Sequence, residues 1–288
     1  MPVDRIASDG PCVVRVCSGL RLSLCLRLYH GGMSTILILQ HSDIGGPGRF
    51  GACLRDHGFR LDFRRPDLAA NGGVGRDADP RRPQGVPTDL DNVHGLIVLG
   101  GPQNVTDVEK YPWMQQEVKL IQQAHAKELP IVGICLGAQL IGHALGGKVT
   151  PREKPAVGFH PVGVTIPGQT ETSMAGIAWN HLQLYTCGQE VSTLPPGAML
   201  LMSAKANKHA AFRVGLRTYA FQFHPECDKP QVEALMRSSK HEMELAGLTE
   251  GEVKVQVDQH YATYARLSDR LCVNLVSTCF PTVQRMTA

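Results

Sequence analysis

Two short stretches of the sequence contain residue types that together do covalent chemistry. The first, "LPIVGICLGAQLIGHALGGKV", places Cys135 between Gly133 and Gly137, after an apolar run and before a helix-like run. This GxCxG spacing is typical of a nucleophile elbow, in which a strand turns sharply into a helix and small neighbours avoid a clash. A helix that begins at Leu136 puts the positive end of its dipole beside the sulfur and a free N–H beside any oxyanion. The spacing predicts a nucleophilic Cys135; the alternative is a buried cysteine packed at a strand end.

The second stretch, "YAFQFHPE", supplies the base that a thiol nucleophile needs. His224 follows a strand-like run, and Glu226 can accept a hydrogen bond from its imidazole and fix the tautomer. A rival pair, His41 and Asp43 in "QHSD", follows the first predicted strand. We favour His224 and Glu226 because Pro225 stiffens their spacing, and we expect His41 at most to line the mouth of the site.

The elements that must position these residues alternate along the chain from residue 33. Strand-like runs rich in Ile, Leu and Val are separated by helical patterns; the strands are "TILILQ", "FRLDF", "GLIVLGG" and "LPIVGIC", and the helices "GPGRFGACLRDHG" and "YPWMQQEVKLIQQAHAKE". Such alternation predicts a parallel sheet covered on both faces, with ligands at the carboxyl ends of its strands.

After residue 149 the pattern changes to short β-type runs: "VGVTI", "AMLLMS", "AAFRV" and "YAFQF". Two helical segments follow, at 229–247 and about 250–270. We therefore predict an α/β, flavodoxin-like three-layer fold with a mostly parallel central sheet, a nucleophile elbow and a smaller β-rich part.

The sequence divides into a central domain, residues 33–248, and two flanking segments. Arginines interrupt the apolar residues of 1–32 too often for a secretory signal, so we expect a poorly ordered N-terminal extension, with organelle targeting as the alternative. Residues 249–288 are expected to form a C-terminal helical extension. The Gly-, Pro- and charge-rich stretch 71–88 is expected to be a flexible surface loop, long enough to cover the site.

Composition excludes several classes of protein. The net charge of +3 comes from mixed signs without a run of like charges, so we expect no nucleic-acid and no membrane partner. No apolar stretch approaches the roughly 20 residues that span a bilayer. The nine cysteines contain no CxxC pair, which favours reduced thiols and a cytoplasmic location over a disulfide framework or a metal site.

Several motifs taken together resemble one known family. The stretches "GGPQNV", "KYPWMQQEVKLI", "PIVGICLGAQLIGHALGGKV", "LPPGAMLL" and "FQFHPE" resemble the class I glutamine amidotransferases, especially stand-alone members similar to the glutaminase domain of GMP synthase, over about residues 34–240. The resemblance implies hydrolysis of the γ-amide of glutamine through a γ-glutamyl thioester. It implies that Cys135 is the nucleophile, His224 the general base and then acid, and Glu226 the orienting carboxylate. It also implies that the N–H of Gly101 joins that of Leu136 in the oxyanion hole.

Substrate-binding residues also follow from the resemblance. Gln139 matches the glutamine of the family's CxGxQ pattern and lies one helical turn beyond Cys135; the alternative is an ordinary polar helix residue. In "YTCGQEV", Cys187 replaces the family's histidine, whereas Gly188 and Gln189 are expected to keep contacts with the substrate.

The predicted function is a glutaminase of the amidotransferase type, with glutamine or a γ-glutamyl compound as substrate. No metal and no organic cofactor is implied, because a thiol, an imidazole and oxyanion donors suffice for amide hydrolysis. Fewer than 50 residues follow residue 240, so the ammonia acceptor is expected on a separate synthetase subunit or in solution. The alternatives are a γ-glutamyl peptidase with the same triad and a non-catalytic binding or regulatory subunit.

Overall fold

Nine strands form one sheet within residues 34–69 and 85–280, the ranges that this computed structural model describes. They are β1 (Thr35–Leu39), β2 (Arg60–Arg64), β3 (Gly95–Val98), β4 (Ile131–Ile134), β5 (Lys148–Val164), β6 (Asn180–Thr193), β7 (Met199–Ser203), β8 (Ala211–Val214) and β9 (Thr218–Phe221). Their spatial order is β2-β1-β3-β4-β9-β8-β7-β5-β6. The predicted N-terminal extension and most of the predicted loop 71–88 lie outside the described residues.

The sheet has a parallel half and an antiparallel half. Strands β2, β1, β3, β4 and β9 pair in parallel, and the ladders from β9 through β8, β7 and β5 to β6 are antiparallel. The parallel half has the strand order of a flavodoxin-like sheet, with β9 as its fifth strand. The predicted α/β fold, with a mostly parallel central sheet and a smaller β-rich part, is confirmed.

Helices cover both faces of the sheet. They are α1 (Gly48–Asp56), α2 (Pro66–Ala69), α3 (Pro112–Ala126), α4 (Leu136–Ala144), α5 (Ile166–Gln169), α6 (Lys229–Ser238), α7 (Lys240–Ala246) and α8 (Glu250–Cys279), with 3₁₀ turns at Val105–Lys110 and Thr172–Met174. Residues of α3 and α4 pack in one core, whereas residues of α1 and α8 pack in the other. None of these helices has the combination of length and hydropathy needed to cross a membrane.

Strand β1 shows why a continuous apolar run becomes a central strand. Ile36 and Ile38 belong to the core with α1 and α8, and Leu37 and Leu39 to the core with α3 and α4. Successive side chains of a strand point to opposite faces, so a strand covered on both faces needs apolar residues throughout. Each of these four side chains is fully buried. Burial of such a side chain on folding stabilises the protein by about 1.5–3 kcal/mol.

Strand β6 was not predicted, and β5 is longer than the run "VGVTI". The two strands pair along most of their length, with a register shift between Pro151 and Ala156. The sequence pattern did not predict the full length of β5 because the strand contains prolines, which lack the N–H that a strand donates to its neighbour. They are tolerated because β5 pairs with β7 only at Gly163 and Val164 and elsewhere only with β6.

The last helix is longer than predicted and packs into the central core. Helix α8 begins with a capping box between Thr249 and Glu252. Its final turns bury Leu275, Val276 and Cys279 with the residues of α1 and the sheet. The predicted boundary after residue 248 thus separates segments that share a hydrophobic core.

Candidate active site

Cys135 occupies a strained turn between β4 and α4. Its φ of 53° and ψ of −106° lie outside the regions that residues with a side chain usually adopt. Its backbone N–H donates to the carbonyl of Phe221 at 2.8 Å, and its carbonyl accepts from Nε2 of Gln222 at 3.2 Å. The end of β9 therefore holds the turn in place, and the predicted nucleophile elbow is confirmed.

Glycines on either side of Cys135 make this turn possible. A Cβ atom on Gly137 would lie 1.9 Å from the carbonyl oxygen of Val98. A Cβ atom on Gly133 would lie 2.5 Å from Cδ1 of Ile141 and 2.6 Å from the carbonyl oxygen of Gly137. The helix can follow the strand this closely only because both positions lack a side chain.

Gly137→Ala is therefore expected to lower the free energy of unfolding by about 3 kcal/mol, since the obstructing atom belongs to the backbone of β3. Urea unfolding measures the change. Gly188→Ala is the matched control: a Cβ atom there meets nothing within 4 Å, so its effect should stay within about 0.5 kcal/mol. Equal losses in the two variants would contradict this account of the turn.

His224 and Glu226 follow β9 and form a buried hydrogen-bonded pair. Nδ1 of His224 lies 2.8 Å from Oε1 of Glu226, and the two side chains are 5% and 3% exposed. Burial opposes a charge on the imidazole, but Glu226 and Cys135 together raise the pKa of His224 well above its ordinary value. The carboxylate therefore favours protonation of the ring, which is what a base beside a thiol requires.

The Cys135 side chain and the His224 ring meet beside Gly100. A Cβ atom on Gly100 would lie 2.9 Å from Cε1 of His224 and 3.4 Å from Cβ of Cys135. Cys135 also contributes a side-chain hydrogen bond to the raised pKa of His224. Thr186 completes this corner: its hydroxyl lies 3.2 Å from Nε2 of His224, and its carbonyl oxygen lies 3.9 Å from Sγ of Cys135.

Two helices brace the loop that contains His224 and Glu226. The hydroxyl of Tyr264, in α8, donates to the carbonyls of His224 and Cys227. Arg49, in α1, donates its backbone N–H to the carbonyl of Glu226 at 2.9 Å and its guanidinium to the carbonyl of Cys227 at 3.1 Å. The position of the imidazole thus depends on hydrogen bonds from helices α1 and α8.

Comparison with known proteins identifies the family. A family model of glutamine amidotransferase class-I matches residues 77–239, more than half of the chain. The chain belongs to the class I glutamine amidotransferases.

Individual relatives agree with this assignment. A putative glutamine amidotransferase-like protein of Salmonella typhimurium, YfeJ, is 30% identical over 163 residues, which cover 56% of this chain and 68% of that protein. A GMP synthase of Porphyromonas gingivalis is 30% identical over 142 residues, which cover 49% of this chain but only 26% of the synthase. The chain therefore matches about a quarter of the length of that synthase. The crystal structure of a glutamine amidotransferase from Methylobacillus flagellatus shares the fold, with a TM-score of 0.71, 23% identity and coverage of 85% of this chain and 95% of that one.

The two predicted oxyanion donors of this amidotransferase, Leu136 and Gly101, lie in two segments that contact each other. Leu136 is the first residue of α4, where an N–H has no carbonyl partner inside the helix. Gly101 follows β3, and a Cβ atom on it would lie 2.9 Å from Cδ2 of Leu136. Within the described residues, the Gly101 N–H makes no hydrogen bond to backbone or side chain. Both N–H groups are therefore available to a ligand.

The predicted substrate-binding residues form a connected group on α4 and β6. Nε2 of Gln139 donates to the backbone carbonyl of Gln189 at 3.0 Å, and Nε2 of Gln189 donates to the hydroxyl of Thr106 at 2.6 Å. The other amide atom of Gln189, Oε1, is buried without a partner among the described residues. Gly188 is exposed. In this arrangement Gln139 holds β6 beside Cys135, a contact that the sequence did not predict.

Neighbouring cysteines differ chemically from a nucleophile. Each cysteine in the described ranges is a free thiol. Burial raises the pKa of Cys187 and of Cys227 to about 12, so both remain neutral near pH 7. His224, Glu226 and Cys227 place ligand atoms within 4.8 Å of one another, a spacing that could hold a metal ion. An ion there would occupy the groups that pair with Cys135; the expectation of a metal-free mechanism stays a prediction.

The rival pair His41 and Asp43 does not form. His41 is buried, and its Nε2 lies 2.9 Å from Oε1 of Glu117, whereas Asp43 pairs with Arg65. His41 therefore does not line the mouth of the site. Glu117 was not predicted as the partner of His41, because no sequence pattern indicates which residue a single acid in an amphipathic helix will contact.

Proposed function

We propose that this class I amidotransferase hydrolyses the γ-amide of glutamine through a γ-glutamyl thioester on Cys135 and releases ammonia. The observation that carries the proposal is the meeting of Cys135, on a strained turn, with a His224 ring held at 2.8 Å by Glu226. The strained turn places the side chain of Cys135, which is 5% exposed, at the carboxyl end of β4, where ligands of parallel sheets bind, and the ring supplies the proton acceptor.

The first half of the reaction forms the thioester. Sγ of Cys135 attacks the side-chain amide carbon of glutamine, and its proton passes to Nε2 of His224. The oxyanion of the tetrahedral intermediate accepts hydrogen bonds from the N–H groups of Leu136 and Gly101. When the C–N bond breaks, His224 returns the proton to the leaving nitrogen, which departs as ammonia.

The second half of the reaction hydrolyses the thioester. Water loses a proton to His224 and attacks the thioester carbon, and the C–S bond breaks to give glutamate. The Cys135 sulfur leaves as thiolate and recovers its proton from the imidazolium. Glu226 stabilises that imidazolium at both stages, in agreement with the raised pKa of His224.

Substrate orientation is assigned to the group on α4 and β6. The carbonyl of Gln189 is held by Gln139, and the buried free Oε1 of Gln189 is a hydrogen-bond acceptor beside the site. An ammonium group is a natural partner for such acceptors. We assign Gln139, Gly188 and Gln189 to recognition of the amino-acid end of the substrate.

The fate of the ammonia depends on a partner. The relative from Porphyromonas gingivalis is a GMP synthase of which this chain matches about a quarter. We propose that the ammonia passes to a separate synthetase subunit or to solution. The proposed chemistry uses no metal and no organic cofactor, and nothing in it requires nucleic acid or a membrane.

Trapping the covalent intermediate tests this function even when turnover is slow without a partner. Acid quenching during a reaction with glutamine should leave a γ-glutamyl adduct on the peptide that contains Cys135, with ammonia in the supernatant. A γ-glutamyl dipeptide, tested in parallel, should form the same adduct less readily; faster adduct formation from the dipeptide would identify a γ-glutamyl peptidase. Absence of an adduct and of product from both compounds would indicate a non-catalytic subunit.

A further inference from the structure

A buried hydrogen-bonded pair, His41 and Glu117, lies behind the loop that carries Gly101. His41 follows β1 and is 1% exposed, and Glu117, in α3, is 0% exposed. Nε2 of His41 lies 2.9 Å from Oε1 and 3.1 Å from Oε2 of Glu117. The ring of Trp113 stacks on the imidazole, with centroids 5.4 Å apart. Removing such a pair from water is costly, so its position calls for an explanation beyond stability.

Both nitrogens of the His41 ring face hydrogen-bond acceptors. Nδ1 lies 3.2 Å from the carbonyl oxygen of Leu99 and 3.4 Å from that of Gly100, and Nε2 faces the carboxylate. A carbonyl oxygen can only accept, so Nδ1 must carry a proton, and the hydrogen bond between Nε2 and Glu117 requires a second proton, held by the ring or by the carboxyl group. Although burial opposes the charge, Glu117 raises the pKa of His41 above its ordinary value.

The loop is packed between the His41 ring and the candidate active site. A Cβ atom on Gly101 would lie 2.6 Å from Cβ of His41, whereas one on Gly100 would lie 2.9 Å from the ring of His224. The carbonyl of Gly100 and the N–H of Gly101 belong to one peptide group, and in a trans peptide the two point in opposite directions. Fixing that carbonyl toward His41 therefore turns the N–H away from it.

We propose that His41 is a positioning residue for the oxyanion hole: by binding the Gly100 carbonyl it directs the Gly101 N–H toward the substrate carbonyl, and Glu117 holds His41 in place. The hydrogen bond from the imidazole also polarises the peptide, which makes its N–H a stronger donor. The inference rests on the proposed function, because an oxyanion forms only if Cys135 attacks a carbonyl carbon.

Two double variants separate the two contacts of His41. His41→Asn with Glu117→Gln keeps an amide N–H near the position of Nδ1, and thus the loop contact, but loses the contact with residue 117. His41→Gln with Glu117→Gln places its amide near the position of Nε2, facing residue 117, and loses the loop contact. Both are uncharged, and each loses one of the two contacts. We expect kcat for ammonia release to be at least about 10-fold lower in the His41→Gln double variant than in the His41→Asn double variant. Complete loss of an oxyanion donor lowers kcat by about 10²-fold or more, and a misdirected donor should cause part of that decrease. KM should differ by no more than about twofold, since the contact acts in the transition state.

Alkylation of Cys135 by iodoacetamide distinguishes loss of an oxyanion donor from general damage to the site. If His41 were needed only for the structure of the site, the rate of alkylation would fall together with kcat. This displacement forms no oxyanion, so both double variants should be alkylated at the wild-type rate. Equal kcat values in the two double variants, or alkylation that slows in parallel with kcat, would overturn the inference. A wild-type chain that forms neither ammonia nor the γ-glutamyl adduct would instead overturn the proposed function itself.

Discussion

Cys135→Ala is expected to lower kcat for ammonia release from glutamine by about 10⁴-fold or more, because the variant has no atom that can form the thioester. The side chain is small and lies at a turn whose backbone is fixed from β9, so the loss should come from chemistry and not from unfolding. Ammonia assays under saturating glutamine measure the rate, and thermal unfolding of the variant checks the fold.

Cys187→Ala is the matched control for that experiment. This substitution removes the same atom, a sulfur, from a neighbouring thiol. Burial has the largest effect on the pKa of Cys187, and the charges of Cys135 and His224 also affect it, so Cys187 lies close to the site. Because Cys187 remains a neutral thiol, its variant should keep kcat within about fivefold of wild type. A fully active Cys135→Ala variant would exclude the thioester, and loss of activity only in Cys187→Ala would place the nucleophile on β6.

The elbow was predictable because every feature of it is local. Gly133, Cys135 and Gly137 lie within five residues, and the clash that each glycine avoids comes from the same strand and helix or from the adjacent strand. The parallel sheet was predictable for a similar reason, since an apolar run such as β1 is required wherever both faces are covered. The sequence predicts the structure correctly where all the residues that determine a feature lie within one short segment.

The residues that sequence reasoning missed act through tertiary contacts. Thr186 reaches His224 across 38 positions, and Glu117 reaches His41 across 76. Thr186 lies on β6, a strand that was not predicted. Glu117 looks like any acid of an amphipathic helix until the fold places it against a histidine. No spacing rule connects such pairs, because their separation along the chain is set by the topology and not by local geometry.

His224→Ala is expected to lower kcat for ammonia release by about 10³- to 10⁴-fold, because it removes both the proton acceptor and the acid that protonates the leaving nitrogen. Alkylation of Cys135 by iodoacetamide should slow as well. Without the imidazole, the thiol loses its neighbouring proton acceptor, so a smaller fraction is thiolate and alkylation should slow about tenfold or more.

The pH dependence has a definite sign. Glu226 and Cys135 hold the pKa of His224 well above its ordinary value despite burial, so the proton from the thiol can reside on the ring through neutral pH. The variant must instead lose its thiol proton to solvent, so its rate of alkylation should rise more steeply with pH than that of the wild type. The difference between them should shrink as the pH rises. His143→Ala, at an exposed position of α4, is the control and should match wild type in both assays. Identical alkylation profiles for His224→Ala and wild type would mean that the imidazole does not accept the thiol proton, even with the geometry observed around Gly100.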